Sequence, residues 1–458
     1  MRFSTKVKSF LQDASDRTAP SFVKPLQNFI RLLRSGLADN SLMSNGSSSL
    51  LAEINLDQIC SARCTRSDPT FWIPVAVVAF QTRESRWVLH VAASPRSGYV
   101  SLFNGRETQF IYNQLDSKLE DIIITQVPRI LEYFDANNWS NEAFANVGNR
   151  VVFAARDVRV HDSLCQIAGL KLSEQSWHPD AWYTQSSMID VVRSCGVPQE
   201  ASLPRMGRAE QDEERLSPVT SWVECPIKFD VTTYAEIGRM LHRMSSNIDD
   251  GRSKVDDVFR VFISYEAEKR GWVEQEQAII QLLKALKSQR PNIEVCVNGM
   301  TDAPMNRGKT AVRYASVKER EEELIQRLVR AVPDIRVTHL FGYTVEEKAV
   351  VLKSVDFFIA PVISAAMLPM LMDVPGVSYG VKDMIETVYT SSILKVTKET
   401  IIIDPSHVQV VSAQLGLVNH ASSKGGAQCD SYSIRPDVFM AACAQVLARQ
   451  GLMIDAFT

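Results

Sequence analysis

The sequence predicts an α/β protein: two doubly wound domains behind an N-terminal helical segment. Three observations carry this. Short runs rich in β-branched and aromatic residues alternate with amphipathic stretches across 258–380, the pattern of strands linked by crossover helices. A looser alternation of the same kind fills 51–248, and Asn247 to Ser253 between them has linker composition. Phe22, Leu26, Phe29, Ile30, Leu33 and Leu37 fall at helical spacing beside Lys24, Arg31 and Arg34, which predicts an amphipathic helix near the start of the chain.

The second half is the more regular. Val258 to Tyr265 reads as a buried strand, and Ile279, Ile280, Leu283 and Leu286 mark one side of the helix after it. Ile293 to Val297 is a second strand, Glu319 to Val332 a helix, and Ile335 to Phe341 a third strand. Thr344 caps the next helix, Val345 to Ser354, with Glu347 at the capping-box position. Asp356 to Pro361 is a fourth strand, Ser364 opens a further helix, and Pro375 to Gly380 returns to the sheet. After a strand at Ile401 to Ile403 and a Ser/Gly-rich loop near 421–427, a terminal helix runs from Pro436 to Arg449. A parallel, Rossmann-like sheet binds ligands at the carboxyl ends of its strands. Lys269, Arg270, Thr344 and Ser364 all belong to that edge.

In the first half, Trp72 to Phe80 and Trp87 to Ala92 are strands, expected as a hairpin, and Arg150 to Ala155 is another. Asp157 to Ser163 reads as a polar loop before an apolar stretch from Leu164 to Leu170. The expected organisation is a helical segment and link over 1–50, an α/β domain over 51–250, a Rossmann-like domain over 251–435, and a terminal helix over 436–458 packing back across the junction.

Composition narrows the function classes. With 458 residues, 45% hydrophobic, 22% charged and a net charge of −3, the chain has the make-up of a globular enzyme and no overall basicity for nucleic acid. Its eight cysteines are scattered without a second close pair to complete a zinc site, which predicts reduced thiols in the cytoplasm. No apolar run reaches the length of a membrane span, and no secretory signal is visible. The basic helix within 1–43 is expected to dock on the body of the protein, on a partner chain, or on the inner face of a membrane.

Several motifs carry chemistry. Lys269 and Arg270 follow the first strand of the second half, where free backbone N–H groups and two cations suit a diphosphate. Thr344 and Glu347 serve as a cap, or as part of a loop holding a base or ribose. Ser364 and Ala365 open a helix with small residues that let a ligand approach its N-terminus. Ala303 to Thr310 has the form of a relaxed Walker A loop, with Lys309 and Thr310 as its phosphate and magnesium residues. The preceding strand ends several residues too early for that motif. Val261 to Tyr265 is also similar to the opening strand of a TIR domain, but no matching catalytic glutamate context follows. His161, beside Asp162, is the candidate general base, against the commoner structural role of a histidine. His407, after Asp404 and Pro405, is a weaker candidate for lining a cleft.

Together, Glu268-Lys269-Arg270-x-Trp272, Gly342-x-Thr344-x-Glu346-Glu347-Lys348, Asp356 to Pro361 and Pro375-Gly376-Val377 resemble the donor-binding domain of bacterial GT-B glycosyltransferases that build surface polysaccharides or modify proteins. The absence of any Asp-x-Asp pair accords with the metal-independent GT-B plan. The resemblance implies a nucleotide-sugar donor on the C-terminal domain, held by Lys269, Arg270, Thr344, Glu347, Ser364 and Ala365. It also implies a glycan or protein acceptor on the other domain near His161, with no cofactor and no metal. Two departures stand out: Val362 to Ala366 replaces a commonly glycine-rich loop, and Asn298-Gly299 replaces an acidic residue after the second strand. The alternatives are a catalytically silent binding or assembly subunit of the same fold, and a P-loop nucleotide hydrolase.

Overall fold

A computed structural model describes residues 31, 129, 132–138, 140, 150–155, 160–177, 179–184, 189, 191–204, 206, 210, 217, 219–224, 229–246, 257–265, 271–299, 309–362, 364–411 and 431–454, and the backbone of strands within 63–114. The expected helix near the N-terminus (except Arg31), the linker 247–253 and the loop at 421–427 lie outside these residues. The chain forms two compact units. One holds Met1–Ala155, Ser173–Gln185 and Glu200–Pro226; the other holds Arg156–Leu172, Ser186–Gln199 and Ile227–Thr458.

In the first unit, β1 (Arg63–Cys64), β2 (Ile73–Gln81), β3 (Arg86–Ala93), β4 (Gly98–Phe103) and β5 (Thr108–Gln114) form an antiparallel sheet in sequence order. The expected hairpin is β2–β3, with Phe80 opposite Trp87. Its register shifts between Pro74 and Ala76, where proline has no N–H for the ladder. Only residues 82–85, 94–97 and 104–107 separate the later strands. Such links are too short for a crossover, so these strands run antiparallel. A doubly wound pattern does not include this meander. The parallel part of the unit is β6 (Arg150–Ala155), β7 (Ala181–Thr184) and β8 (Thr220–Glu224), in the order β7-β6-β8. Val152, Ala154, Ala181 and Tyr183 form its core. Helix α1 (Val160–Trp177) connects β6 to β7 in the chain. It starts within the stretch expected to be a polar loop, so His161, Asp162 and Ser163 are helical.

In the second unit, α2 (Val191–Cys195) and α3 (Val231–Ser246) precede the sheet. Then follow β9 (Phe259–Ser264), α4 (Gln275–Gln289), β10 (Ile293–Asn298), α5 (Lys309–Ala331), β11 (Arg336–His339), α6 (Val345–Leu352), β12 (Phe357–Pro361), α7 (Ser364–Leu371) and β13 (Gly376–Tyr379). The short helices α8 (Lys382–Ile385) and α9 (Val388–Leu394) lead to β14 (Thr400–Ile402). The antiparallel pair β15 (Val408–Val411) and β16 (Ser431–Ile434) comes before α10 (Pro436–Arg449). β9 to β14 make one six-stranded parallel sheet, ordered β11-β10-β9-β12-β13-β14.

That sheet is buried on both faces, as parallel sheets are. Val261, Ile263, Val295, Ile359 and Val377 meet Ile279, Leu282, Leu283 and Leu286 of α4 and Phe439, Cys443 and Leu447 of α10. Leu282 takes the place on the α4 stripe that the spacing assigned to Ile280, which is only partly buried. The apolar face of α10 is thus occupied within the second unit. Tyr234, Ile237, Met240 and Leu241 bury one face of α3 completely. Gly238 lets α3 approach α7: a Cβ there would stand 3.0 Å from the Leu371 carbonyl oxygen. Polar atoms inside the sheet are matched across strands. Arg260 Nε donates to Glu294 Oε2 at 3.0 Å, and Thr338 Oγ1 to Glu294 Oε1 at 2.9 Å.

Gly376, paired with Phe358 across β12 and β13, has no room for a side chain. A Cβ would overlap the Phe358 ring and its carbonyl oxygen. Gly376→Ala is expected to destabilise the protein by at least about 1–3 kcal/mol, the scale of core overpacking. Thermal denaturation of the variant measures this, and an unchanged melting temperature would contradict the packing described.

Candidate nucleotide site

The strand order places a reversal between β9 and β12. From β9 the chain moves outward to β10 and β11, then returns to the other side of β9 for β12, β13 and β14. At such a point the connections leave in opposite directions and open a crevice at the carboxyl ends of the strands. β9 ends there in Ser264, and β12 ends in Pro361, shortly before α7.

Beyond 266–270, which lie outside the described residues, the chain is anchored at Gly271 to Gln275. Trp272 packs between Tyr379 and Phe439, with ring centroids 4.9 Å away in each case. Its Nε1 donates to Glu274 Oε2 at 3.0 Å. Glu274 also accepts from Ser433 Oγ at 2.7 Å and from the Ile434 N–H at 3.2 Å. Val273 N donates to Tyr432 O, and Tyr432 N to Gly271 O, both at 2.9 Å. Gln275 Nε2 reaches the Ser264 carbonyl at 3.3 Å and the Tyr379 hydroxyl at 2.9 Å. The segment carrying Lys269 and Arg270 therefore leaves from and returns to fixed backbone, although both residues lie outside the described ones.

Thr344 and Glu347 form the expected capping box. Glu347 N donates to Thr344 Oγ1 at 3.2 Å, and Thr344 N to Glu347 Oε2 at 2.7 Å. The cap occupies both side chains. Ser364 is the first residue of α7, though its side chain is outside the described residues; Ala365 is half-buried beside it. Lys309 is the first residue of α5, and the rest of the Walker-like loop, 303–308, is outside the described residues.

His161 lies in the second unit, although the sequence placed it in the first-half domain. It is 6% exposed. Its Nε2 lies 3.0 Å from the Tyr234 hydroxyl and 3.5 Å from Cys165 Sγ, and its Nδ1 lies 3.2 Å from Asp162 Oδ1. Phe229 stacks on the ring at 5.3 Å. This imidazole is enclosed by packing partners and leaves little surface for an acceptor hydroxyl. His407 sits in the short turn after Asp404, whose carboxylate accepts from Ser406 N.

The sequence did not single out a buried polar group beside the edge, where β10 and β11 end. Lys348 of α6 is only 2% exposed, and its Nζ donates to the Gly299 carbonyl at 2.6 Å. Glu321 of α5, 4% exposed, lies 3.1 Å from His339 Nε2. Gly299 has no space for a Cβ, which would stand 2.7 Å from Phe341 Cα and 2.9 Å from Glu321 Oε2. Burial lowers the Lys348 pKa from its ordinary value to about 7, while the Glu321 carboxylate opposes the shift. Burial raises the Glu321 pKa, against the hydrogen bond and charge of His339. In sequence Lys348 stood only as the last residue of the Gly342-x-Thr344-x-Glu346-Glu347-Lys348 motif, and a helix lysine there reads as solvated until α6 is packed.

Among the described residues, no group of His, Cys, Asp and Glu is arranged to hold a metal ion. No described helix is long and apolar enough to cross a membrane. The described cysteines, Cys165, Cys195, Cys296 and Cys443, are buried and form no disulfide among the described residues.

No model of a known protein family matches this chain, and no curated protein does. Solved structures show a likeness. A glycosyl transferase family 9 protein from Veillonella parvula is 10% identical, with 56% of this chain and 86% of that one covered and a TM-score of 0.34. The E. coli ADP-heptose lps heptosyltransferase II is 6% identical over 58% of this chain and 92% of its own, TM-score 0.33. The E. coli heptosyltransferase WaaC, solved with ADP-2-deoxy-2-fluoro heptose, is 13% identical over 55% and 92%, TM-score 0.33.

Two outcomes follow from the geometry. An unfolded lysine keeps its ordinary pKa of 10.5, against about 7 for folded Lys348. Between these values the unfolded state holds more protons, so this group makes stability rise with pH by at most about 1.4 kcal/mol per unit. Lys348→Met is expected to remove that rise, so the wild-type urea midpoint should climb relative to the variant's from about pH 7 to about pH 10. Identical pH profiles would show that Lys348 does not titrate in this window. His161→Ala is expected to cost about 2–4 kcal/mol of stability, since it opens a cavity and strips the buried Tyr234 hydroxyl of a partner. Chemical denaturation reads that loss.

Proposed function

We propose that this chain is a glycosyltransferase that binds a nucleotide-sugar at the carboxyl edge of the β9–β14 sheet and passes the sugar to a glycan or protein acceptor without a metal ion. The observation that carries the reading is the order reversal between β9 and β12. Such a reversal supports the end of β9 and the N-terminus of α7 as the place for a nucleotide. Support for sugar transfer comes from the four motifs of the second half, which follow or lie in β9, β11, β12 and β13 of this one sheet.

In this reading the diphosphate lies against the N-terminus of α7, where Ser364 and Ala365 expose backbone N–H groups. Lys269 and Arg270, on the segment leaving β9, neutralise the charge that grows on the diphosphate as the sugar departs. Fixed cations act most strongly at that stage, because they stabilise charge that develops in the transition state. Thr344 and Glu347 act indirectly: their cap holds the loop after β11 in place. His161 is assigned to packing.

A thermal-shift screen of nucleoside diphosphates and nucleotide-sugars tests the reading, since a ligand of the folded state raises apparent stability. Binding of a nucleoside diphosphate without magnesium is expected. Arg270→Ala is expected to weaken it by about 1.5–3 kcal/mol, the scale of a hydrogen bond to a charged group, and Lys309→Ala to leave it intact. ATP binding that needs magnesium and fails in Lys309→Ala would favour a P-loop hydrolase. No binding by any nucleotide would favour a silent assembly subunit.

A further inference from the structure

We propose that nucleotide binding at the carboxyl edge is coupled to the uptake of one proton, which Lys348 holds beside Gly299; the inference rests on the nucleotide reading above. Gly299 follows Asn298, which ends β10 and pairs in register with Ser264, the last residue of β9. From α6, Lys348 Nζ donates to the Gly299 carbonyl at 2.6 Å. Glu321 of α5 stands close to the same glycine: a Cβ on Gly299 would lie 2.9 Å from its Oε2. His339 Nε2 of β11 lies 3.1 Å from that carboxylate oxygen. Titratable groups from three elements therefore meet at one strand end, a single strand away from the end of β9.

The elements around this cluster bring charges of their own. On α5, Glu322 disfavours ionisation of Glu321, and Lys318 lies over the Phe341 ring at 5.7 Å. On α6, Glu347 is held in the cap and Glu346 is buried. α3 and α7 also pack against α6. α7 has no charged residue, and α3 brings Glu236, Arg239, His242 and Arg243. Glu236 pairs with Arg239 at 2.6 Å. Burial draws the Lys348 pKa down to about 7, and the Glu321 carboxylate is the charge that resists.

With Lys348 protonated, its ammonium balances the Glu321 carboxylate. With Lys348 neutral that balance is lost, and a diphosphate would bring more negative charge to the same edge. Adjacent strands lie about 4.8 Å apart, so a diphosphate at the end of β9 would be on the order of 10 Å from Lys348 Nζ. Charges still interact over that range in a site that is partly dry. The anion therefore favours the protonated form, and by linkage its binding draws a proton from solvent near and above neutral pH. Lys348 is 2% exposed, so it acts through its field and through the carbonyl it holds, as a positioning residue.

The test is calorimetric titration of the full chain at about pH 8 with ADP, UDP, GDP and CDP, each in HEPES and in Tris, two buffers that differ in their heat of ionisation. The terminal phosphate, with a pKa of about 6, is already ionised there, so uptake is read from the protein. For the nucleotide that binds, the two buffers are expected to give different heats, equivalent to uptake of roughly half a proton or more. Affinity is expected to fall roughly five- to tenfold from about pH 7 to about pH 9. Lys348→Met is expected to give equal heats and a flat profile. Glu321→Gln is expected to move the fall to lower pH, because the carboxylate that supports the ammonium is gone. His339→Gln is expected to keep the uptake. Equal heats in the wild type, uptake that persists in Lys348→Met, or uptake lost in His339→Gln would overturn the assignment to Lys348 and leave the nucleotide site standing. Failure of every nucleotide to bind would remove both. If Lys348→Met does not fold, an unmoved profile in Glu321→Gln overturns the coupling.

Discussion

Two parallel strands cannot be joined by a tight turn, and the second unit is built around that constraint. Each pair among β9 to β14 needs a connection that crosses the sheet. Those connections cover both faces, which is why Val261 and Ile263 on one face of β9 and Phe262 on the other are all fully buried. The same constraint creates the crevice. Once the chain has gone outward through β10 and β11, it has to return to the free side of β9. Where the two directions part, strand ends and the N-terminus of a helix point at the same space.

Holding that edge in place takes polar groups that are expensive to bury. Lys348 and Glu321 are removed from water beside Gly299, and each shifts toward its neutral form as burial demands. An apolar pair would fill the same volume at lower cost. The short contact from Lys348 to the Gly299 carbonyl instead ties α6 to the end of β10. On the other side of β9, Glu274 gathers Trp272, Ser433 and Ile434 around the base of the Lys269–Arg270 segment. Both arrangements use charged side chains to fix backbone next to the proposed ligand.

Local chemistry alone makes much of the second unit readable. Thr344 and Glu347 sit three residues apart at the head of an apolar stretch, and the capping box forms there because its hydrogen bonds are local. Pro436 starts and Arg449 ends the last helix as the pattern indicates. β9, β10, β12 and β13 were legible because burial on both faces demands runs rich in apolar residues. The first half was harder to read. Its β2–β3 hairpin was expected from two neighbouring apolar runs, whereas β4 and β5 did not stand out, and their antiparallel course follows from the short links between strands.

The sequence by itself determined the α/β class, the parallel second sheet, the capping box and the absence of an Asp-x-Asp metal anchor, because each depends on residues close together in the chain. Tertiary structure alone decided the strand order, and with it the position of the crevice, since strand order depends on which edges pair across long separations. It also decided the surroundings of single side chains. His161 is enclosed by Phe229 and Tyr234 of a distant segment. Lys348, an ordinary helix charge in sequence, becomes a buried anchor for Gly299. Burial depends on what the rest of the chain packs against a residue, and that information is spread over the whole fold.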